Sequence, residues 1–353
     1  MRALAILTQR NEGAFLLEWL AHHRVVGFTD FLVFSNDCQD GSDLILDRLE
    51  QMGELTHLRN LPPYDKAGIQ FSALKTAASH PLLREVDWIL PLDIDEFVNI
   101  HVGDRSLSAL LAALPQATAI TLTWRLFGNA GAIVHEDRPV TERFTRAAPA
   151  VMHWPWRASM FKTLYRNDGI YAKPGIHRPR APDPARLEQA RWFDGEGRTL
   201  PQRYRRAGLF SAFGQPNHQL AQINHYPLGA MQDFVLKADR GRAVHAGQRL
   251  GLDYWVERNF NSDEDRSVLA LAPRVQAERD RLMADADLAG LHRAAVAWRH
   301  SRFAELMRDE DMRALMGRLM MAPPSRALSK HEAAPLLAHA VAAQKAQAGQ
   351  PDN

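Results

Sequence analysis

Two hydrophobic periods alternate along the first 125 residues. "RALAILT" (2–8) is an apolar run of strand length, and "NEGAFLLEWLAHHRVVG" (11–27) follows at helical spacing. Leu16, Trp19, Leu20, His23 and Val26 fall on or near one face of that helix, and Gly27 is its expected stop. "DFLVFSN" (30–36) reads as a second strand, "DCQDGS" as a turn, and "DLILDRLEQM" as a second helix. Strands over "ELTHLRN", "DWILPLD" (87–93) and "ATAITLTW" then alternate with helices over "IQFSALKTAASH" and "SLSALLAAL". Strands separated by helices predict a βαβ series, hence an α/β fold around a mostly parallel sheet.

Beyond that series the pattern changes. Residues 126–261 are rich in Gly, Pro and aromatics ("MHWPWR", "YAKPGIHRPRAPDP", "INHYPLG"), which predicts loops and short strands. Residues 262–330 return to a charged, Ala/Leu/Met-rich helical pattern broken at "APPS" (322–325). The final stretch, 331–353, predicts one helix and a polar tail. The expected division is therefore 1–125 and 126–261 as two halves of one domain, then the helical extension and the tail.

Composition adds little at the level of class. The chain has 353 residues, 46% apolar and 24% charged, with a net charge of +2, so nothing global calls for nucleic acid or an anionic membrane. The charge is uneven, however: Arg138 to Arg206 holds fifteen Lys/Arg against six Asp/Glu. A basic middle beside an acidic first half is compatible with an anionic substrate, but the charge alone calls for no more than a solvated Arg-rich surface. Cys38 is the sole cysteine, which rules out an intrachain disulfide framework. The N-terminal apolar run soon meets Arg10 and Glu12 and lacks the length of a signal peptide. No stretch reaches the ~18 apolar residues of a membrane span. The expectation is a cytoplasmic protein whose C-terminal helices pack on the catalytic domain.

The chemistry is concentrated at the predicted strand ends. In an open α/β sheet, ligands bind outside the carboxyl ends of the strands. Here those ends carry Gln9 to Glu12, Ser35 to Asp37, Asp65 and Lys66, and Asp93 to Glu96. On an extended segment Asp93 and Asp95 would project to one side while Ile94 returns to the core. Converging carboxylates need a cation, and hard oxygen donors suit Mg²⁺ or Mn²⁺, which commonly bridge to phosphate.

"LDIDEF", with "RNEG…LLEWLAHH" near the N-terminus and "FSNDCQDGSD" at the second strand, resembles the family 2-like glycosyltransferases. The nearest likeness is the Asp-x-Asp-Glu-Phe branch related to family 92. "TWRLFGNAG" (123–131), "VTERF" (140–144) and "INHYPLGAMQDFVLKADRG" (223–241) continue the likeness in order. The resemblance implies the GT-A fold, a Rossmann-like nucleotide-binding half continuous with an acceptor half. It also implies transfer of a sugar, with inversion, from a nucleoside-diphosphate sugar to an acceptor hydroxyl.

By position, the resemblance gives Asp93 and Asp95 to a Mn²⁺ or Mg²⁺ ion and the donor phosphates. Asn11, Glu12, Asp37, Lys66 and Gln70 are matched to the donor site, although Glu12 and Asp37 also fit helix capping and turn chemistry. His225 is matched to the metal shell or the diphosphate, and His177 to the donor site. Lys237 is matched to phosphate neutralisation, and its spacing equally fits an i,i+4 pair with Asp233. Trp124 and Phe127 suit a sugar face or the core; His22 and His23 read as structural. For the base that takes the acceptor proton, Asp137 and Glu136 lie in the right part of the chain without a clear family match. Glu142 has a match, with Arg143 beside it as an ion-pair partner.

The expected donor is a UDP-sugar, and the acceptor a glycan, a lipid-linked sugar or a protein. The sequence does not fix an oligomeric state. A nucleotidyltransferase is the nearest rival, but no Gly-rich phosphate loop follows the first strand. A catalytically silent nucleotide-binding module of the same fold is the other alternative.

Overall fold

A computed structural model describes residues 1–64, 68–240 and 250–348. Its centre is a nine-stranded sheet. The strands are β1 (Ala3–Gln9), β2 (Asp30–Ser35), β3 (Thr56–Arg59), β4 (Trp88–Leu92) and β5 (Glu96–Ile100). They continue with β6 (Ala119–Leu126), β7 (Phe161–Arg166), β8 (Trp192–Asp194) and β9 (Ala221–His225). The order is β3-β2-β1-β4-β7-β6-β9-β5, with β8 also paired to β6. Strands β1 to β4 are mutually parallel where they pair, whereas β7 runs antiparallel to both β4 and β6.

β1 shows why its run is continuously apolar. Ala3, Ala5 and Leu7 enter the core under α1 (Gly13–Val26) and α2 (Ser42–Gln51). Leu4 and Ile6 enter the opposite core under α3 (Ile69–Ser79). A parallel strand covered on both faces has no solvent side to mark with polar residues. The predicted stop holds as well: α1 ends at Val26, and Gly27 takes φ 114°, where a side chain would be strained.

The Gly- and Pro-rich half, residues 126–261, supplies β7, β8 and β9 to the same sheet. These strands are three to six residues long, too short for periodicity to mark them. Two helices lie between α3 and β7, α4 (Leu107–Ala113) and the short α5 (Val140–Arg143), and two follow β9, α6 (Met231–Arg240) and α7 (Leu252–Val256). The C-terminal helices are α8 (Ala272–Met283), α9 (Ala286–Leu306), α10 (Glu310–Met321) and α11 (Lys330–Ala348). α8 and α9 pack on α1, and α10 packs on α6. Gly13 lets α9 approach, because a Cβ there would lie 2.8 Å from that of Ala295. None of the described helices is long and apolar enough to cross a membrane.

One sequence expectation fails in a useful way. Asp93–Asp95 is not extended but a tight turn, closed by the Glu96 N–H donating to the Asp93 carbonyl (3.1 Å). β4 pairs with β7 only through Trp88 and Ile89, so its remainder diverges from β7. The chain then turns straight into β5, which pairs antiparallel with β9 at the other end of the strand order. The acidic turn therefore sits where the sheet splays open.

Candidate active site

The turn is fixed through its backbone before its side chains are considered. Trp19 Nε1 donates to the Asp93 carbonyl (3.2 Å), and the Tyr226 N–H to the Asp95 carbonyl (2.8 Å). Ile94 packs into the core below. Both aspartates then line a cavity of ≈ 270 Å³ with Gln9, Asn36, Gln70, Trp124, His225, Lys237 and Arg240. Its walls are the carboxyl ends of β1, β2 and β4, the location expected for an α/β sheet.

The two aspartates are served by different cations. Lys162 of β7 places Nζ 2.9 Å from Asp93 Oδ2 and 3.3 Å from Glu96 Oε2. The other oxygen of Asp93 accepts from Gln70. Glu96 is wholly buried, and it accepts from Trp124 Nε1 (2.7 Å) and from the Asp93 N–H (2.8 Å). Burial raises the Glu96 carboxyl above its usual range, against the pull of Lys162. Burial lowers the Lys162 ammonium, but Asp93 and Glu96 outweigh it and the net shift is upward.

Asp95 belongs to a second set. Lys237 Nζ donates to Asp95 Oδ2 (2.6 Å) and to the Pro227 carbonyl (2.8 Å). His225 Nε2 lies 3.7 Å from Asp95 Oδ1. Burial alone would raise the Asp95 carboxyl, yet Lys237 and His225 hold it well below the ordinary range. Burial lowers the His225 pKa, and the neighbouring Asp95 carboxylate opposes that shift. Lys237 thus pairs with Asp95, and not with Asp233 one turn away. Asp233 is held instead by Arg299 of α9 (2.8 Å) and His135 (2.9 Å).

Glu12 closes the cavity. It is bonded to Arg240, which also donates to the Arg10 carbonyl (2.7 Å), and it lies 3.7 Å from Arg299. On the far side of Glu12, Asp95 and Lys237 is a smaller cavity of ≈ 60 Å³, reached by Asn11, Phe15 and Trp298. Asn11 has φ 55° and its Oδ1 accepts from the Gln39 N–H (2.7 Å); a short polar side chain tolerates that left-handed backbone.

The remaining expected residues are distributed unevenly. Gln70 is in the cavity. Asp37 is bonded to the Tyr64 hydroxyl (2.5 Å), and its neighbour Asn36 takes the lining position. His177 stands behind Trp124, ring centroids 5.7 Å apart, with burial lowering its pKa to about 4. Lys66 lies outside the described residues. Asp137 and Glu136 are not brought to either cavity: Asp137 pairs with His292 of α9 (3.1 Å), and Glu136 with Arg143 (3.2 Å) on an exposed loop. Glu142 lines neither cavity.

Lys162, Arg240 and Arg299 were not foreseen. The only available signal for Lys162 is a lone lysine inside the apolar run "MFKTLY". As for the expected metal, no group of three or more His, Cys, Asp or Glu side chains among the described residues can hold an ion unaided. Both oxygens of Asp93 are engaged by side chains, so it does not stand free as a ligand. Asp95 Oδ1 and His225 Nε2, 3.7 Å apart, are an oxygen and a nitrogen of the kinds that a divalent cation takes as donors.

The family model for Glycosyltransferase family 92 matches residues 6–185, just over half of the chain. The chain belongs to glycosyltransferase family 92. The matched segment of this family 92 protein carries β1 to β7 and the acidic turn. The curated relative Os08g0121900 of Oryza sativa subsp. japonica, a glycosyltransferase family 92 protein, is 26% identical over 142 residues, 38% of this chain and 23% of that one. RCOM_0530710 of Ricinus communis, of the same family, is 27% identical over 97 residues, 27% of this chain and 16% of that one. The match thus spans under a quarter of either relative's length. Among solved structures, S. aureus TarS overlaps 47% of this chain and 28% of its own at 18% identity, with a TM-score of 0.29. Its 1–349 form in complex with UDP-GlcNAc overlaps 47% and 46% at 20% identity, with a TM-score of 0.28.

Proposed function

We propose that this protein transfers a sugar from a nucleoside-diphosphate sugar to an acceptor hydroxyl, inverting the anomeric carbon. The observation that carries the reading is the ≈ 270 Å³ cavity at the strand ends, where Asp93, Asp95, His225, Lys237 and Arg240 meet. Lys237 and Arg240 offer ammonium and guanidinium donors to a diphosphate. Asp95 and His225 would hold a Mn²⁺ or Mg²⁺ ion beside those phosphates. When bound, that ion supplies Lewis-acid neutralisation of the leaving nucleoside diphosphate. Asp93, fixed by Gln70 and Lys162, offers the donor a carboxylate in one orientation only. Trp124, held by Glu96, presents its indole as a wall for the sugar.

Calorimetric titration of UDP, GDP and UDP-sugars with Mn²⁺ and with EDTA tests this, on the native protein, Asp95→Asn and His225→Ala. Metal-dependent binding that weakens about 10–100-fold or more in both variants is expected, as for loss of groups that hold a metal. Tight binding in EDTA, unchanged by either substitution, would remove the metal from the proposal. If no nucleotide bound under any condition, the transferase reading itself would fail and the silent-module alternative would replace it.

A further inference from the structure

Segments 151–159 and 203–214 run side by side at the surface, joined where the Ser211 N–H donates to the Ser159 carbonyl (2.8 Å). The Trp156 and Phe210 rings meet across them at 4.9 Å, and His153 and Phe213 at 6.1 Å. Trp156, Leu209 and Phe213 are nonetheless 37–39% exposed. Large apolar side chains exposed singly are ordinary; three on two touching loops make a patch. Between them the segments hold Arg157, Arg203, Arg205 and Arg206, and neither contains an Asp or a Glu. Arg157 and Arg205 reach outside carboxylates, Glu257 at 3.6 Å and Glu188 at 2.6 Å. Arg203 lies over the Tyr204 ring (5.4 Å), and Arg206 is exposed.

We propose that this aromatic and arginine-bearing patch docks on the surface of a lipid bilayer containing anionic headgroups. Indole and phenyl rings partition to the headgroup level, where an apolar body and a wet surroundings are both accommodated. Guanidinium groups around them match the negative surface potential, at roughly a tenfold gain or less for each. A soluble polyanion would use the arginines but give no role to exposed Trp156, Leu209 and Phe213. An apolar partner protein would use the rings but give no role to Arg203 and Arg206, which form no ion pair among the described residues.

The patch also stands at the edge of the crevice formed by Met152, Ser159, Ala212, Gly214 and Trp124, and Trp124 is a wall of the main cavity too. On the transferase reading, and resting on it, docking would bring that crevice down to the headgroups, so that the acceptor is a membrane-held molecule.

Flotation of the full chain with phosphatidylcholine vesicles, with and without phosphatidylglycerol, tests the docking without any use of enzyme activity. Expected are binding that requires phosphatidylglycerol and weakens with salt, and quenching of tryptophan emission by brominated lipid. Arg203→Glu/Arg206→Glu should lower partitioning about tenfold or more. Trp156→Ser/Phe213→Ser should lower partitioning to the phosphatidylglycerol vesicles by a similar factor. UDP titration and the thermal midpoint of each variant confirm that it remains folded. Absence of native-protein binding to the anionic vesicles overturns the proposal, as does binding that neither pair of substitutions alters. Heparin binding lost in the arginine variant, with no vesicle binding, would overturn it in favour of a soluble polyanion. A dimer dissolved by Trp156→Ser/Phe213→Ser, again with no vesicle binding, would do so in favour of a second copy of the chain.

Discussion

Lys162 has 1% of its side chain exposed and faces two carboxylates, one of them completely buried. Its role follows from electrostatics: an ammonium between Asp93 and Glu96 permits a third acid, Asp95, to stand two residues away. Removal of one partner from a buried ion pair leaves charge without compensation, at a loss of about 3–5 kcal/mol. Lys162→Met is accordingly expected to lose that much stability in urea unfolding, with Lys162→Arg retaining part of it. A Lys162→Met protein as stable as the native one would show that Asp93 and Glu96 need no cation. Lys237 is the contrasting case. It is 19% exposed, on the cavity side of Asp95, where it can be shared with a bound phosphate.

α1 illustrates what an element can do with one buried acid. Glu18 sits inside the helix and accepts from the Val140 N–H (2.7 Å), the Thr141 N–H (3.1 Å) and the Thr141 hydroxyl (2.8 Å). It thus satisfies the free amides at the start of α5, a service usually given by a local cap. Burial raises the Glu18 carboxyl, and these three donors oppose the shift. Glu18→Ala strands the amides, and a loss of about 2–4 kcal/mol is expected. In hydrogen exchange, the Val140 and Thr141 amides should lose protection ahead of those of β1; equal loss in both would refute the link. α9 works in the same manner over a longer span, bringing Arg299 to Asp233 and Glu12 so that the C-terminal helices complete the wall of the smaller cavity.

Taken over the molecule, the buried histidines weaken the fold in acid. Burial lowers His22 and His218 to about 4, joined at His218 by Arg125; the Val98 carbonyl opposes the shift of His22, and the Trp124 carbonyl and Asp265 that of His218. Above the unfolded pKa of about 6.5 both states are neutral and nothing is lost. Below it the unfolded chain takes up protons that the fold refuses until about pH 4, so stability falls through that window. Each site contributes a loss of about 3 kcal/mol by the bottom of it. Urea midpoints should therefore decline from pH 6.5 to 4; a flat profile there would show that the two imidazoles protonate within the fold.

The sequence by itself determined the βαβ order, the apolar run of β1, the stop at Gly27 and the acids at the end of β4. These are local matters, since period, turn residues and the end of an apolar run are written within ten or twenty neighbouring positions. Family resemblance added the motifs that identify Asp93, Asp95, His225 and Lys237 as companions. Only the tertiary structure decided which cation serves which acid. Lys162 is 69 residues from Asp93, Lys237 is 142 from Asp95, and Arg240 is 228 from Glu12. The same holds for Asp137, which the chain order places near the site and the fold gives to His292, 155 residues away. Such pairings depend on strand order and helix packing, which fix distance in space without leaving a mark on spacing along the chain.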